Sequence, residues 1–289
     1  MGVPTSPPFP EADVTLLESG TLPRRRLRYT WTVGKRELLT LAMRTFLASD
    51  RADSQAPDVP LPSVRVVVAI DPKTVSGDAS LTYDWRVTSA GVTRGERTAP
   101  QVADGIQSEA VAVEHLSGTG VVSSRGLAKD LTVNPAEGSD EVTSRPIALQ
   151  VLQTLWNLAA PVPEEEVGLG ARWRRVSELA AKSARATQTD LFTLLSLDGP
   201  NGALDDALAQ TAPEQALSVP NMANGARGQM GSMLASGDAK TRFDLSHFVP
   251  ETRFEGTTTM VLTHDGLGTT EPRATMVLRV EIDLSRGAP

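Results

Sequence analysis

The stretch Met276-Val277-Leu278-Arg279-Val280-Glu281-Ile282-Asp283-Leu284 decides the fold class. Its apolar residues recur at every second position, and the charged residues Arg279, Glu281 and Asp283 fall between them. Such a period belongs to a strand with one buried and one wet face, because successive side chains leave a pleated backbone on opposite sides. The same alternation appears in Leu27, Tyr29, Trp31 and Val33, in Val64, Val66, Val68 and Ile70, and in Leu81, Tyr83, Trp85 and Val87. Half-wet strands of this kind point to antiparallel sheet.

Working outward, residues 24–34, 37–48, 63–70 and 80–88 read as four strands of a meander. Asp71-Pro72 and Ser76-Gly77-Asp78 supply turn chemistry inside it. Residues 100–116 change period: Val102, Ile106, Ala110, Val113 and Leu116 recur at helical spacing, with Gly118 as a stop. A strand over 120–133 follows, with Gly126 as a bulge. Ser144 and Pro146 then open the strongest helix, whose body is Ile147–Ala159. Its stripe is Ile147, Val151, Leu155 and Leu158, widened by Leu152 and Trp156, and Pro161 and Pro163 end it. Strands resume over 171–179, 184–197 and 238–249. Residues 203–220 fit a helix or a strand. Segments 253–263 and 273–284 pair as a closing hairpin around His264-Asp265-Gly266-Leu267-Gly268.

The expected fold is therefore α+β, with long, curved, antiparallel β-sheets predominating, two or three helices, and two similar halves. Residues 1–20 form a Pro-rich tether, 21–145 a first β-rich half with one helix, and 146–289 a helix followed by a second β-rich half.

Composition excludes several function classes. The chain has 289 residues, a net charge of −7 and a pI near 5.1. An acidic balance lacks the positive footprint that phosphate backbones require, so no nucleic acid partner is expected. Arg24, Arg25 and Arg26 form one short basic cluster, read as a solvated strand entry. Cysteine is absent, which rules out disulfides, thiolate metal sites and cysteine nucleophiles in this chain. No apolar run is long enough for a membrane-spanning helix.

Chemistry-bearing motifs are scarce. His115, His247 and His264 lie far apart, without partners at metal-ligand spacing, so no metal and no cofactor is expected. Gly168-Leu169-Gly170 leads into a strand rather than a helix, unlike a dinucleotide-binding turn. Gly231-Ser232 lacks the second glycine of a nucleophile elbow, since Leu234 stands there. Glu164-Glu165-Glu166 reads as a solvated loop. The segment 221–237 is rich in glycine and methionine. Flexible thioethers adapt to irregular apolar shapes, so Met222, Met230 and Met233, with Leu152 and Trp156 of the helix, are the candidate lining of an apolar ligand pocket under a lid.

The stretch Val162-Pro163-Glu164-Glu165-Glu166-Val167-Gly168-Leu169-Gly170-Ala171-Arg172-Trp173 resembles a recurring element of a family of bacterial secreted lipoproteins with a domain of unknown function. In that family a helix is followed by proline, acidic residues, a valine-glycine repeat with tryptophan, and a strand pair ending in a turn. Leu191–Leu197 with Asp198-Gly199 is similar to that ending, and Leu27-Arg28-Tyr29 with Gly34 to the family's start. The Met-rich segment 221–237 has no counterpart. The resemblance implies an exported protein of the periplasm or outer membrane whose signal peptide and lipidated cysteine precede the given sequence. The membrane would then be reached only through that anchor, and Val3-Pro4-Thr5-Ser6-Pro7-Pro8 would belong to the tether.

The functional expectation is a non-enzymatic envelope protein that binds a hydrophobic ligand, such as a lipid, or an envelope protein partner. A purely structural or interaction module of an envelope machine is the alternative. A hydrolase with a Ser-His-Asp site assembled from distant residues is a remote one.

Overall fold

The computed structural model describes residues 12–51, 54–55, 59–95, 100–114, 116–134, 146–181, 184–217, 227–265 and 274–287. In chain order the first elements are β1 (Asp13–Glu18), β2 (Arg25–Arg26), β3 (Glu37–Arg51), β4 (Ser54–Gln55), β5 (Val59–Pro60), β6 (Ser63–Val75) and β7 (Leu81–Thr93). Next come α1 (Pro100–Val113), β8 (Ser117–Val122), β9 (Ala128–Val133), α2 (Pro146–Trp156), β10 (Glu166–Val167), β11 (Arg172–Ala181) and β12 (Ala184–Asp198). The chain continues with β13 (Asn201–Ala212), β14 (Gln215–Leu217), β15 (Arg227–Asp244), β16 (Glu251–Asp265) and β17 (Ala274–Gly287).

One sheet of 15 strands dominates the molecule. Its order is β1-β11-β12-β13-β15-β16-β17-β3-β6-β7-β8-β9, with β14 beside β15 and β4 and β5 beside β3. Every pairing in it is antiparallel. The stretch that decides the fold class forms the middle of β17, which joins β16 to β3. Elements from before and after residue 145 thus share one sheet. Strands β2 and β10 form a separate small ribbon.

Several expectations change. Residues 24–34 do not add a fourth strand to the meander: only Arg25 and Arg26 pair, with Val167 and Glu166. Leu27 and Tyr29 are nonetheless buried, so their alternation reports packing of an extended segment rather than a ladder. Asp71-Pro72 does not turn; β6 runs on to Val75 and the chain reverses at 76–80. The strand expected over 120–133 is a hairpin, β8–β9, and Gly126 (φ +75°) occupies its turn. Residues 203–212 are strand, and β15 begins at Arg227, inside the expected glycine- and methionine-rich lid. Asp13–Glu18, within the expected tether, pairs with β11 as an edge strand. Ser144 lies outside the described residues.

The core lies on one face of the sheet. α1 packs on β7 and on α2. α2 buries Ile147, Ala148, Val151, Leu152 and Leu155, the stripe its helical period demands. The segment after it is stitched down: Tyr29 Oη donates to the Ala160 carbonyl at 3.1 Å, and Trp173 Nε1 to the Pro161 carbonyl at 2.9 Å. Trp173, Trp85, Tyr83 and Leu27 are fully buried. Glu37, at the start of β3, accepts from the backbone amides of Phe248 and Val249 (3.0 and 3.1 Å), which fixes the turn between β15 and β16.

The glycines of the Val167–Trp173 stretch are structural. A Cβ on Gly168 would sit 1.8 Å from the Thr21 carbonyl oxygen, and Gly170 has φ +76°. Glycine alone permits that crossing of backbones and that conformation.

Candidate functional site

The antiparallel register sets the inner-face side chains, those on the same side as the helices, in rows across the sheet. The row Leu194, Leu204, Thr241, Thr252, Leu284, Leu41 and Val66 lies against the core. Each further row along the strands is two residues on. The next holds Trp173, Phe192, Asp206, Ala239, Phe254, Ile282 and Met43. Beyond it come Arg175, Asp190, Leu208, Gly237, Gly256 and Val280, and then Ser177, Gln188, Gln210, Ala235, Thr258 and Leu278. A fifth row includes Ala212, Met233, Met260 and Met276.

At one end of these distal rows the face is polar. Arg175 Nε donates to Asp190 Oδ2 at 2.8 Å, and Gln188 Nε2 to Asp190 Oδ1 at 2.9 Å. Arg175 also donates from a terminal nitrogen to Asn157 Oδ1 at 2.9 Å, which ties the cluster to the end of α2. Asp190 is fully buried and Arg175 is 7% exposed. A charged pair at this depth persists only because each partner satisfies the other and neighbouring amides complete the hydrogen bonds.

Asp206 stands across the β12–β13 interface, one row from Asp190. Burial pushes its carboxyl up to about 8; the Asp190 charge adds to this, Arg175 opposes it and Asp238 adds a little more. The group is therefore largely protonated at neutral pH. Its Oδ1 is shielded from water and has no hydrogen-bond partner. Ser177 Oγ, on the same face and in a side chain only 4% exposed, has none either.

Toward β17 the face becomes apolar. Leu208, Val280, Leu278, Met233, Met260 and Met276 are half-buried, although they share the face that is dry farther along the strands. The Phe254 ring lies over Gly237 and Gly256, where a Cβ would meet it at 2.5 Å. Ala212, Ala235 and Ala239 are buried between the larger side chains.

The expected pocket residues do not form one group. Leu152 and Trp156 belong to the main core on α2. Met233 lies in the distal row opposite Met260 and Ala212. Met230 pairs with Leu262 and Gln215 at the far end of β15, and Met222 lies outside the described residues. Period-2 reading could have flagged Met260, Met276 and Met233 as outward continuations of core-facing alternation. Asp190 and Asp206 left no such signal, because a carboxylate at a core-parity position reads as a break in the pattern.

The opposite face carries a groove of about 560 Å³ that touches Leu195, Asp205, Lys240, Arg242, Glu251 and Arg253. Its charges include both signs, with Asp205 opposite Lys240 and Arg253 opposite Asp283, as on a solvated surface. His247 rests against Glu37 (Nδ1 to Oε1, 3.5 Å) beside a turn capped by Asp244, whose Oδ1 accepts from the Ser246 amide and hydroxyl. His115 lies outside the described residues, and His264 pairs with Gly228 in the β15–β16 ladder. Glu164 pairs with Arg28 at 2.6 Å. Among the described residues no group of three or more histidine or acidic side chains could hold a metal ion. No helix among them is long and apolar enough to cross a membrane.

No family model, curated protein or solved structure matches this chain. The site's geometry has to carry the functional reading.

Proposed function

We propose that this protein is a non-enzymatic binding protein that holds the apolar part of a lipid-like amphiphile against the distal inner face of its sheet. One observation carries the reading. The rows Leu208–Val280, Leu278 and Met233–Met260–Met276 place large apolar side chains, only partly buried, on the face that elsewhere forms the core. Apolar side chains left partly open to solvent side by side on a folded chain point to a binding surface. Methionine suits an acyl chain, because its unbranched thioether adapts to a ligand of variable shape. The polar cluster of Arg175, Asp190 and Asp206 at one end gives the face the asymmetry of an amphiphile.

The proposal includes a cell-envelope location, where lipids are the available cargo. It is supported by the resemblance of residues 162–173 to secreted lipoproteins and by the cysteine-free chain, and by nothing in the fold itself.

Titration of delipidated protein with the fluorescent fatty acid cis-parinaric acid tests the reading. Saturable binding near one equivalent is expected. The double substitution Met260→Asp with Met276→Asp should abolish it while leaving the circular dichroism spectrum intact. Absence of saturable binding by this acid and by single-chain detergents below their micelle concentrations overturns the reading, and crosslinking for a protein partner of the same rows then becomes the next step.

A further inference from the structure

The polar end of the distal face holds more acceptor than its own donors use. Both oxygens of Asp190 are engaged, Oδ2 by Arg175 and Oδ1 by Gln188. Arg175 is engaged in turn by Asp190 and Asn157. Asp206 is left over: its Oδ1 is inaccessible to water and no donor reaches it. Two carboxyls therefore face one guanidinium. Ser177 Oγ, 4% exposed across from Gln188, is a second unpartnered buried oxygen on the far side of the same cluster.

Position links this deficit to the apolar rows. Asp206 sits in the row of Phe192, Ala239 and Phe254, with Leu208 two residues on along its own strand. From Asp206 the inner face of β13 runs six residues to Ala212, which faces Met233; at strand rise this is about 20 Å. A head group at Asp206 and a chain lying along the strands would span the face from its polar corner to its methionine row.

We propose that the amphiphile bound here carries a primary ammonium head group, and that Asp206 is its counter-ion. The inference rests on the reading of the distal face as the seat of an amphiphile and names the class of head group. A primary ammonium brings N–H donors and one positive charge to the partly buried Asp206 carboxyl, which Arg175, engaged by Asp190 and Asn157, does not hydrogen-bond. An anionic head group would meet two carboxyls. A neutral hydroxyl would supply the hydrogen bond but not the charge. The neighbours that act on Asp206, namely Asp190, Arg175 and Asp238, keep its proton on in the unliganded protein, so ammonium binding transfers that proton from Oδ to solvent as the ion pair forms.

Isothermal titration at pH 7 with dodecylammonium, dodecyl maltoside and dodecanoate, each below its micelle concentration, tests the assignment. Dodecylammonium should bind at least about tenfold more tightly than the maltoside. Titrations in buffers of different ionisation enthalpy should show release of close to one proton on dodecylammonium binding. Asp206→Asn should remove both the preference and the proton release, and this variant keeps the acidic surface that attracts cations in general. Equal affinities for all three probes, or a preference that survives Asp206→Asn, overturn the head-group assignment and leave the apolar reading standing. Failure of every probe to bind removes both. Should Asp206→Asn not fold, the affinity ratio and the proton count of the unsubstituted protein decide the matter alone.

Discussion

The two ends of the sheet's inner face are built from the same strands and the same alternation, yet they differ in fate. Near the helices, Leu204, Leu41, Val66 and Trp173 are shut away from water, with α1, α2 and the segment 27–31 packed into one cluster with them. A few residues farther along the same strands, Leu208, Leu278, Met260 and Met276 are only partly buried. Period-2 patterning says which face is apolar; it does not say how far along the strand the cover extends. The contrast also separates two ways of burying charge. Asp190 is buried with a guanidinium and an amide to satisfy it, whereas Asp206 is shielded with an oxygen left vacant. The first arrangement supports a fold, and the second is what a binding site awaiting a ligand would show.

The sharpest way to break this contrast is a matched truncation. Trp173→Ala removes a fully buried ring that stacks on Phe192 and donates to the Pro161 carbonyl. It should cost about 3–5 kcal/mol in denaturant unfolding. Met260→Ala on the distal row should cost no more than about 1 kcal/mol, since its side chain is only half-buried. Equal losses at the two sites would mean that the distal face is core as well.

The charge contrast predicts effects of opposite sign. Asp190→Ala leaves Arg175 buried without its carboxylate and should destabilise by about 3–5 kcal/mol. Asp206→Asn should stabilise. The Asp206 carboxyl titrates at about 8 in the folded protein, against an ordinary 3.8, so the folded state holds a proton that the unfolded chain releases across that interval. Stability is consequently lost as pH rises from about 4 to 8, and the substitution removes that loss. Thermal melts should show little difference in pH response between the variant and the parent below about pH 4, and a gain for the variant that grows steadily toward pH 8. A parent melting curve that is flat over this range would show that Asp206 is not the buried acid described.

The smallest effect belongs to the surface. Arg36 and Asp71 form a bidentate pair at 2.6 and 2.9 Å, and the Arg36 hydrogen bond holds the Asp71 carboxyl below its usual range. The side chain of Arg36 is nonetheless about half exposed, so Arg36→Ala should lower the melting temperature only slightly, and still less in high salt.

Much of this was legible in the residues. The strands around Val64–Ile70, Leu81–Val87 and 276–284 declare themselves, because each puts an unbroken apolar series on one side. The two helices declare themselves by their stripes. Val167–Trp173 was legible as a glycine-rich turn leading into a strand, but its reason was not: Gly168 is needed because the Thr21 carbonyl, far away in sequence, presses on it. The segment 27–31 alternates like a strand yet carries no ladder, since an extended chain packed on a core obeys the same period. The pocket expected from Leu152, Trp156 and Met233 dispersed because helix and strand residues of similar chemistry were grouped by composition, while the register groups them by row.

Local sequence, then, determined the period, the sides of the strands and the helix stripes, because these depend on backbone geometry within a few residues. Tertiary structure alone decided that β17 lies between β16 and β3, that Trp173 sits under the carbonyl of Pro161, and that Asp206 stands beside Asp190 and Arg175. Those facts depend on pairings between strands distant along the chain. No local preference encodes them; they follow from which arrangement buries the most apolar surface while leaving the fewest backbone groups unpaired.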